Sequence, residues 1–192
     1  MPAVFLKSVP RAADLPESSK PQIAMLGRSN VGKSSLINHL AGTGKLARVS
    51  VTPGLTRTIN LYDFDGRYLL VDLPGYGYSR TAGSREGRFE GMLGEYLSEA
   101  NQLKLVLLVI DGRHGFQESD RHVLNQMTDV GLPVVVVLNK TDKLSKAEAA
   151  RALRDVKDEY PNARCLSHST ASTEGLGELR DIIEKTVRGA AG

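Results

Sequence analysis

Two stretches of this sequence, residues 103–110 (LKLVLLVI) and 132–138 (LPVVVVL), are almost purely aliphatic. A strand with one face in water alternates apolar and polar side chains; these do not, so both of their faces need cover. Each is far shorter than the roughly 20 residues of a membrane-spanning helix. A parallel sheet between two layers of helices meets the requirement, because each crossover helix lies on a face of the sheet. The rest of the chain supplies the parts. Residues 33–40, 114–130, 145–160 and 174–188 carry helical spacing. Residues 21–26, 57–64, 67–72 and 164–167 read as further strands, the middle two joined by Asp65-Gly66, a strong hairpin signal. The expected fold is α/β: a mixed, mostly parallel sheet with one antiparallel hairpin and helices on both faces.

At 192 residues the chain suits one domain. Residues 1–20 hold three prolines and no helical period, and read as an irregular leader packed on or flanking a domain of residues 21–188, with 189–192 as a short tail. The first 21 residues lack the uninterrupted apolar core of a signal peptide, and the expected location is the cytoplasm. The one cysteine, Cys165, has no partner for an intrachain disulfide or a cysteine metal site, and reads as a small buried hydrophobe. A net charge of +3 with an isoelectric point near 9.0 permits an RNA partner without requiring one.

The first chemical signal follows the first core strand. Gly27-Arg28-Ser29-Asn30-Val31-Gly32-Lys33-Ser34 matches G-x-x-x-x-G-K-[ST] between a strand and a helix, with Ser35 next. Glycines let backbone wrap closely around phosphate oxygens, and the helix N-terminus turns N–H groups toward the negative charge. Lys33 supplies a point charge to the phosphates, and Ser34 a hydroxyl ligand for Mg²⁺.

Asp72-Leu73-Pro74-Gly75 ends the second hairpin strand. A carboxylate there can reach the Mg²⁺ shell, and Gly75 can bring a backbone N–H to a γ-phosphate. Residues 43–58 form a loop rich in Thr, Gly and Ser, containing T-P-G-L-T-R at 52–57. A switch loop needs one threonine that ligates Mg²⁺ when the γ-phosphate is present. Thr56 is the first choice, with Thr52 and Thr58 as alternatives. Six of the 19 glycines fall between 75 and 94, which disfavours a rigid helix and suggests a mobile segment. The metal set is thus Ser34, Thr56 and Asp72, and the groups nearest the chemistry are Lys33, Thr56 and Gly75.

Asn139-Lys140-Thr141-Asp142 follows the second aliphatic run. An aspartate can accept from both N1–H and the C2 amine of guanine, whereas adenine would leave it unpaired. Lys140 can lay its stem over a base, Asn139 can tie this loop to the phosphate loop, and Ser169-Thr170-Ala171 can present N–H groups to guanine O6. This loop argues against a P-loop kinase or ATPase.

G-R-S-N-V-G-K-S-S-L-I-N at 27–38, T-P-G-x-T at 52–56 and D-L-P-G-Y-G-Y at 72–78 together resemble the EngB family of bacterial GTPases, within the Era-like group. The likeness runs from about Phe5 to Arg188. It implies a single P-loop GTPase domain, a monomer with GTP/GDP and Mg²⁺ as ligands, and the large ribosomal subunit or its precursor, rRNA and ribosomal proteins, as partner with no membrane. It places nucleotide contacts at 27–35, at Gly54, Leu55, Thr56, Arg57 and Thr58, at 72–75, at 139–142 and at 169–171. Leu55 and Arg57 depart from the family's usual residues after T-P-G. An Era-like switch with a protein or membrane client is the alternative. Tyr76 stands where Ras-type enzymes place a water-orienting Gln, so slow intrinsic turnover is expected. Asn30 is a candidate to hold K⁺ against the phosphates. Arg48, Arg57, Arg80, Arg85 and Arg88 cluster near the switches and could present a nucleotide-gated RNA-binding face.

Base choice is directly testable. Asp142→Asn should lower GTP affinity by roughly 2–4 kcal/mol, through loss of a charge-assisted pair, and raise XTP affinity over wild type. Competition between labelled GTP and unlabelled XTP measures both; an unchanged preference for GTP would remove Asp142 from base recognition.

Overall fold

The computed structural model describes residues 2–48, 58–77 and 85–190, with backbone alone at Arg85, Glu86 and Arg88. Among the described residues seven strands form one sheet: β1 Ala3–Val9, β2 Gln22–Gly27, β3 Ile59–Phe64, β4 Tyr68–Asp72, β5 Leu103–Asp111, β6 Val134–Asn139 and β7 Arg164–Ser167. Their order is β1-β3-β4-β2-β5-β6-β7. From β4 to β7 every pairing is parallel, while β3 runs antiparallel to both β4 and β1. Five helices, α1 Lys33–Ala41, α2 Arg85–Glu99, α3 Glu118–Asp129, α4 Lys146–Glu159 and α5 Leu176–Gly189, cover the two faces.

The aliphatic runs become the central strands, and their alternation divides the core. On β5, Val106, Leu108 and Ile110 face α2, α3 and α4, joining Phe89, Leu93, Tyr96, Val123, Leu124, Met127 and Val156. Leu105, Leu107 and Val109 face α1 and α5, joining Leu36, Ile37, Leu40, Leu179, Ile182 and Ile183. The β3–β4 hairpin turns at Asp65 (φ 56°) and Gly66 (φ 67°), both left-handed as the central residues of a type I′ turn are, and Arg67 N closes the turn by donating to Phe64 O at 3.0 Å.

Two expectations are corrected. Residues 3–9 are an edge strand rather than irregular chain: β1 pairs with β3 from Ala3↔Phe64 to Val9↔Ile59. A register shift between Phe5 and Lys7 breaks the alternation that would have announced the strand, and Val4, Phe5 and Leu6 stay exposed. Residues 85–94, inside the glycine-rich stretch, are helical. Phe89, Leu93 and Tyr96 recur at helical spacing and are buried, while a Cβ added at Gly87, Gly91 or Gly94 would meet nothing within 4 Å. The buried stripe stabilises the helix by more than three glycines on its open side cost it, about 1 kcal/mol each.

Buried Asn38 at the end of α1 clamps the chain that leaves it. Its Nδ2 donates to Ala47 O at 2.9 Å and its Oδ1 accepts from Ala47 N at 2.7 Å. Asn38→Ala should cost about 2 kcal/mol by removing both bonds, lowering the thermal midpoint by roughly 4–8 °C. Calorimetry on the nucleotide-free protein checks this.

Candidate functional site

β2 is the central strand of the sheet, between β4 and β5. A Cβ on Gly27 would sit 2.5 Å from Val109 O, so only glycine lets the strand end pack against β5. The loop then turns through Asn30 (φ 65°) and Gly32 (φ 102°), where a Cβ would collide with Asn139 Nδ2. α1 starts at Lys33 with no side-chain cap. Its first-turn N–H groups, those of Lys33, Ser34 and Ser35 among them, therefore lack intrahelical partners and suit an anion.

Lys33 is inside this loop, its side chain 11% exposed. Its ammonium donates to Gly27 O at 3.3 Å and lies 4.0 Å from Asp72 Oδ1. Burial pulls the Lys33 pKa down, against the attraction of Asp72. Burial likewise raises the Asp72 pKa, opposed by Lys33 and by a hydrogen bond from Asn60. Asp72 Oδ1 is buried with no hydrogen-bond partner among the described residues. Asp72 and Ser34 border one cavity of about 650 Å³, together with Lys45, Arg48, Thr58 and Asn60. Hard oxygen donors beside open N–H groups and a buried ammonium fit a phosphate chain carrying a divalent cation.

The Asp72–Gly75 segment lies against this loop. Leu73 N donates to Met25 O at 3.2 Å and Ser29 N to Tyr76 O at 3.1 Å. A Cβ on Gly75 would lie 2.8 Å from Ser29 N, so the approach requires glycine. Pro74 is buried between Leu73 and Gly75. Tyr76 turns into the core, where its hydroxyl donates to Asp120 Oδ1 at 2.8 Å and its ring packs on Phe89. Gly54, Leu55, Thr56 and Arg57, with the alternative Thr52, lie outside the described residues. Thr58 is described, and its hydroxyl lies 2.7 Å from Ser8 Oγ of β1. Ser8 Oγ is also 2.7 Å from Asn60 Oδ1, which ties the leader strand to the support of Asp72.

The third part comes from β6 and the segment after β7. Asn139 is buried and donates from Nδ2 to Val31 O at 2.8 Å, joining its loop to the phosphate loop as expected. Lys140, left-handed at φ 65°, extends across that loop and donates to Asn30 O and to Asp111 Oδ2. Asp142 accepts from Ser169 Oγ at 2.9 Å, and this hydroxyl holds its carboxyl below the usual range. The same hydroxyl accepts from Ala171 N at 3.0 Å, while Thr170 is exposed. Thr141 N donates to His168 O, so the two loops form one surface.

Several of these supports were not read from the sequence. Asp111 is buried, yet Arg113 and Lys140 hydrogen-bond it and hold its carboxyl far below the usual range. Its signal was a carboxylate ending an aliphatic strand, in register with Asn139. His39, His168 and Asp120 carried no motif.

A family model described as a 50S ribosome-binding GTPase matches residues 22–140, and one described as the elongation factor Tu GTP binding domain matches residues 93–188. A probable GTP-binding protein EngB of Solibacter usitatus is 41% identical over 186 residues, 97% of this chain and 96% of that protein. Its counterpart in Thiobacillus denitrificans is 42% identical over 185 residues, 95% of this chain and 89% of that protein. The chain belongs to the EngB family. It is a GTPase, and the loops above lie on a GTP-binding fold. Among solved structures, Era in complex with MgGDPNP and a 16S ribosomal RNA fragment superposes with a TM-score of 0.68 at 25% identity, covering 88% of this chain and 57% of that one. The cytosolic domain of the FeoB iron transporter of T. maritima, in a GDP form, gives 0.58 at 26% identity, covering 88% and 63%.

Lys33→Ala in this EngB family member should weaken GTP and GDP by about 100-fold, since it removes the ammonium that faces Asp72 and leaves that carboxylate without its nearest cation. Isothermal titration reads this; near wild-type affinity in a folded variant would contradict it.

Proposed function

We propose that this GTPase works in the cytosol as a nucleotide-dependent switch in assembly of the large ribosomal subunit. The observation that carries the reading is the match of residues 22–140 to a 50S ribosome-binding GTPase model. The described helices include none long and apolar enough to cross a membrane.

In this reading the phosphates occupy the loop at 27–34. Lys33 and the first-turn N–H groups of α1 neutralise them, Gly75 brings its N–H to the γ-phosphate, and Asp142 reads the base beside Ser169–Ala171. Ser34 and Asp72, joined by Thr56 in the triphosphate state, would hold Mg²⁺, which when bound draws charge from the phosphate oxygens. Asn30 is the residue that would hold K⁺ against the phosphates. Tyr76 cannot orient an attacking water, because its hydroxyl is committed to Asp120 in the core. Turnover by the isolated protein is therefore slow, on the order of 10⁻⁴ to 10⁻² per second.

Large-subunit association should be stronger with a non-hydrolysable GTP analogue than with GDP, and should fall with added salt. Charge reversal at Arg85 and Arg88 should weaken it without changing nucleotide affinity. Co-sedimentation with ribosomal subunits measures both. Association that ignores the nucleotide would reject the switch, and no association would favour a client other than the ribosome.

A further inference from the structure

Behind the base-reading loops, two histidines outside the nucleotide-contact motifs, His39 and His168, extend a line of polar groups that starts at Asn139. Asn139 Nδ2 donates to Val31 O at 2.8 Å, and Asn139 Oδ1 lies 2.9 Å from His168 Nδ1. His168 Nε2 in turn lies 3.0 Å from Nδ1 of His39, on α1. We infer that His39 and His168 are positioning residues: their two rings form a relay that fixes the side-chain amide of Asn139 and so sets how long a guanine nucleotide stays bound.

The chemistry assigns every hydrogen in the line. Val31 O is an acceptor, so Asn139 must turn its NH₂ toward it; a flipped amide would set oxygen against oxygen. Asn139 Oδ1 can only accept, which requires the proton on His168 Nδ1. A neutral His168 then has a bare Nε2, and His39 must donate to it from its own Nδ1. The line thus runs in one direction, from His39 through His168 and Asn139 to Val31. Both of its ends lie on the same continuous segment, the phosphate loop and the helix that follows it, while its middle lies on the two base-reading loops.

The surroundings keep the rings neutral. His168 is fully buried, and burial first and the neighbouring His39 second lower its pKa to about 4. Burial and the Arg180 guanidinium lower that of His39. Arg180, on α5, donates to His39 O at 3.3 Å and Leu40 O at 2.9 Å, which holds the end of α1 in place. The backbone of His168 is anchored as well, its N–H donating to Leu138 O at 2.8 Å and its carbonyl accepting from Thr141 N at 3.3 Å. Movement of the ring therefore reaches the loop that carries Asp142. Removing the ring's N–H leaves Asn139 Oδ1 buried without a donor, and the amide loses what selects its orientation.

A ring that merely filled space would have no preferred tautomer and would tolerate an apolar substitute. Two measurements on the GDP-bound protein separate the alternatives. Nitrogen-15 NMR of the imidazole rings should find the proton on Nδ1 in both His168 and His39 at neutral pH. In His168→Asn the amide places an N–H at the same number of bonds from Cα as Nδ1, and GDP should leave at close to the wild-type rate. His168→Leu should release GDP about ten-fold faster, the worth of one buried hydrogen bond. His39→Leu should do so by a smaller factor. A proton on Nε2 of His168 would overturn the relay, even if every variant failed to fold. So would wild-type release from His168→Leu, or equally fast release from His168→Asn. Wild-type binding of GDP serves as the reference, so a failure of the relay is distinct from a failure to bind guanine nucleotides.

Discussion

Lys33 and Asp72 are buried 4.0 Å apart, the lysine with a single carbonyl acceptor and the aspartate with one oxygen unpartnered among the described residues. Ions removed from water cost several kcal/mol each unless partners replace the lost hydration. Here each ion supplies part of the other's compensation, and the remainder suits a ligand that brings both negative and positive charge. Phosphate with a divalent cation does so. The pair is possible because β2 and β4 run parallel and adjacent, with Met25 opposite Asp72, so both strands deliver their carboxyl ends to one place. In open α/β sheets ligands bind at those ends.

The surrounding structure holds that pair and its two neighbouring loops in register. Asp111 and Asn139 end β5 and β6 side by side, and Lys140 reaches from one loop to Asp111 and Asn30. On the far side, Asp72 is supported through Asn60 by Ser8 of the leader strand. Tyr76 links the segment after Asp72 to Asp120 at the start of α3. Displacement of the segment after Asp72 therefore pulls on a packed helix as well as on a loop. Such coupling suits a switch, since a small displacement at the phosphate is carried into a rigid element.

Much of the site was legible because it depends on backbone geometry. A strand, a glycine-bearing turn and a helix with Lys and Ser at its start leave little choice of local conformation. The Asp65-Gly66 turn and the aliphatic strands were equally plain. The edge strand β1 was not, because its shifted register conceals the alternation and its stability comes from pairing with β3, fifty or more residues away. The helix α2 was hidden by glycines whose cost is set by Phe89, Leu93 and Tyr96 packing into a core that the sequence does not display.

By itself, the sequence determined the sheet class, the phosphate loop, the D-L-P-G segment and the choice of guanine. Each is a short-range pattern, with chemistry set by residue type and spacing. Only the tertiary structure decided which groups support them. The buried ions of Lys33 and Asp72, the clamp of Asn38 on Ala47, the line from His39 through His168 to Asn139, and the hold of Asp120 on Tyr76 are such supports. Most join residues from separate elements, and the reason is physical: a buried polar group must find its partner in space, and spacing along the chain does not say which one it meets.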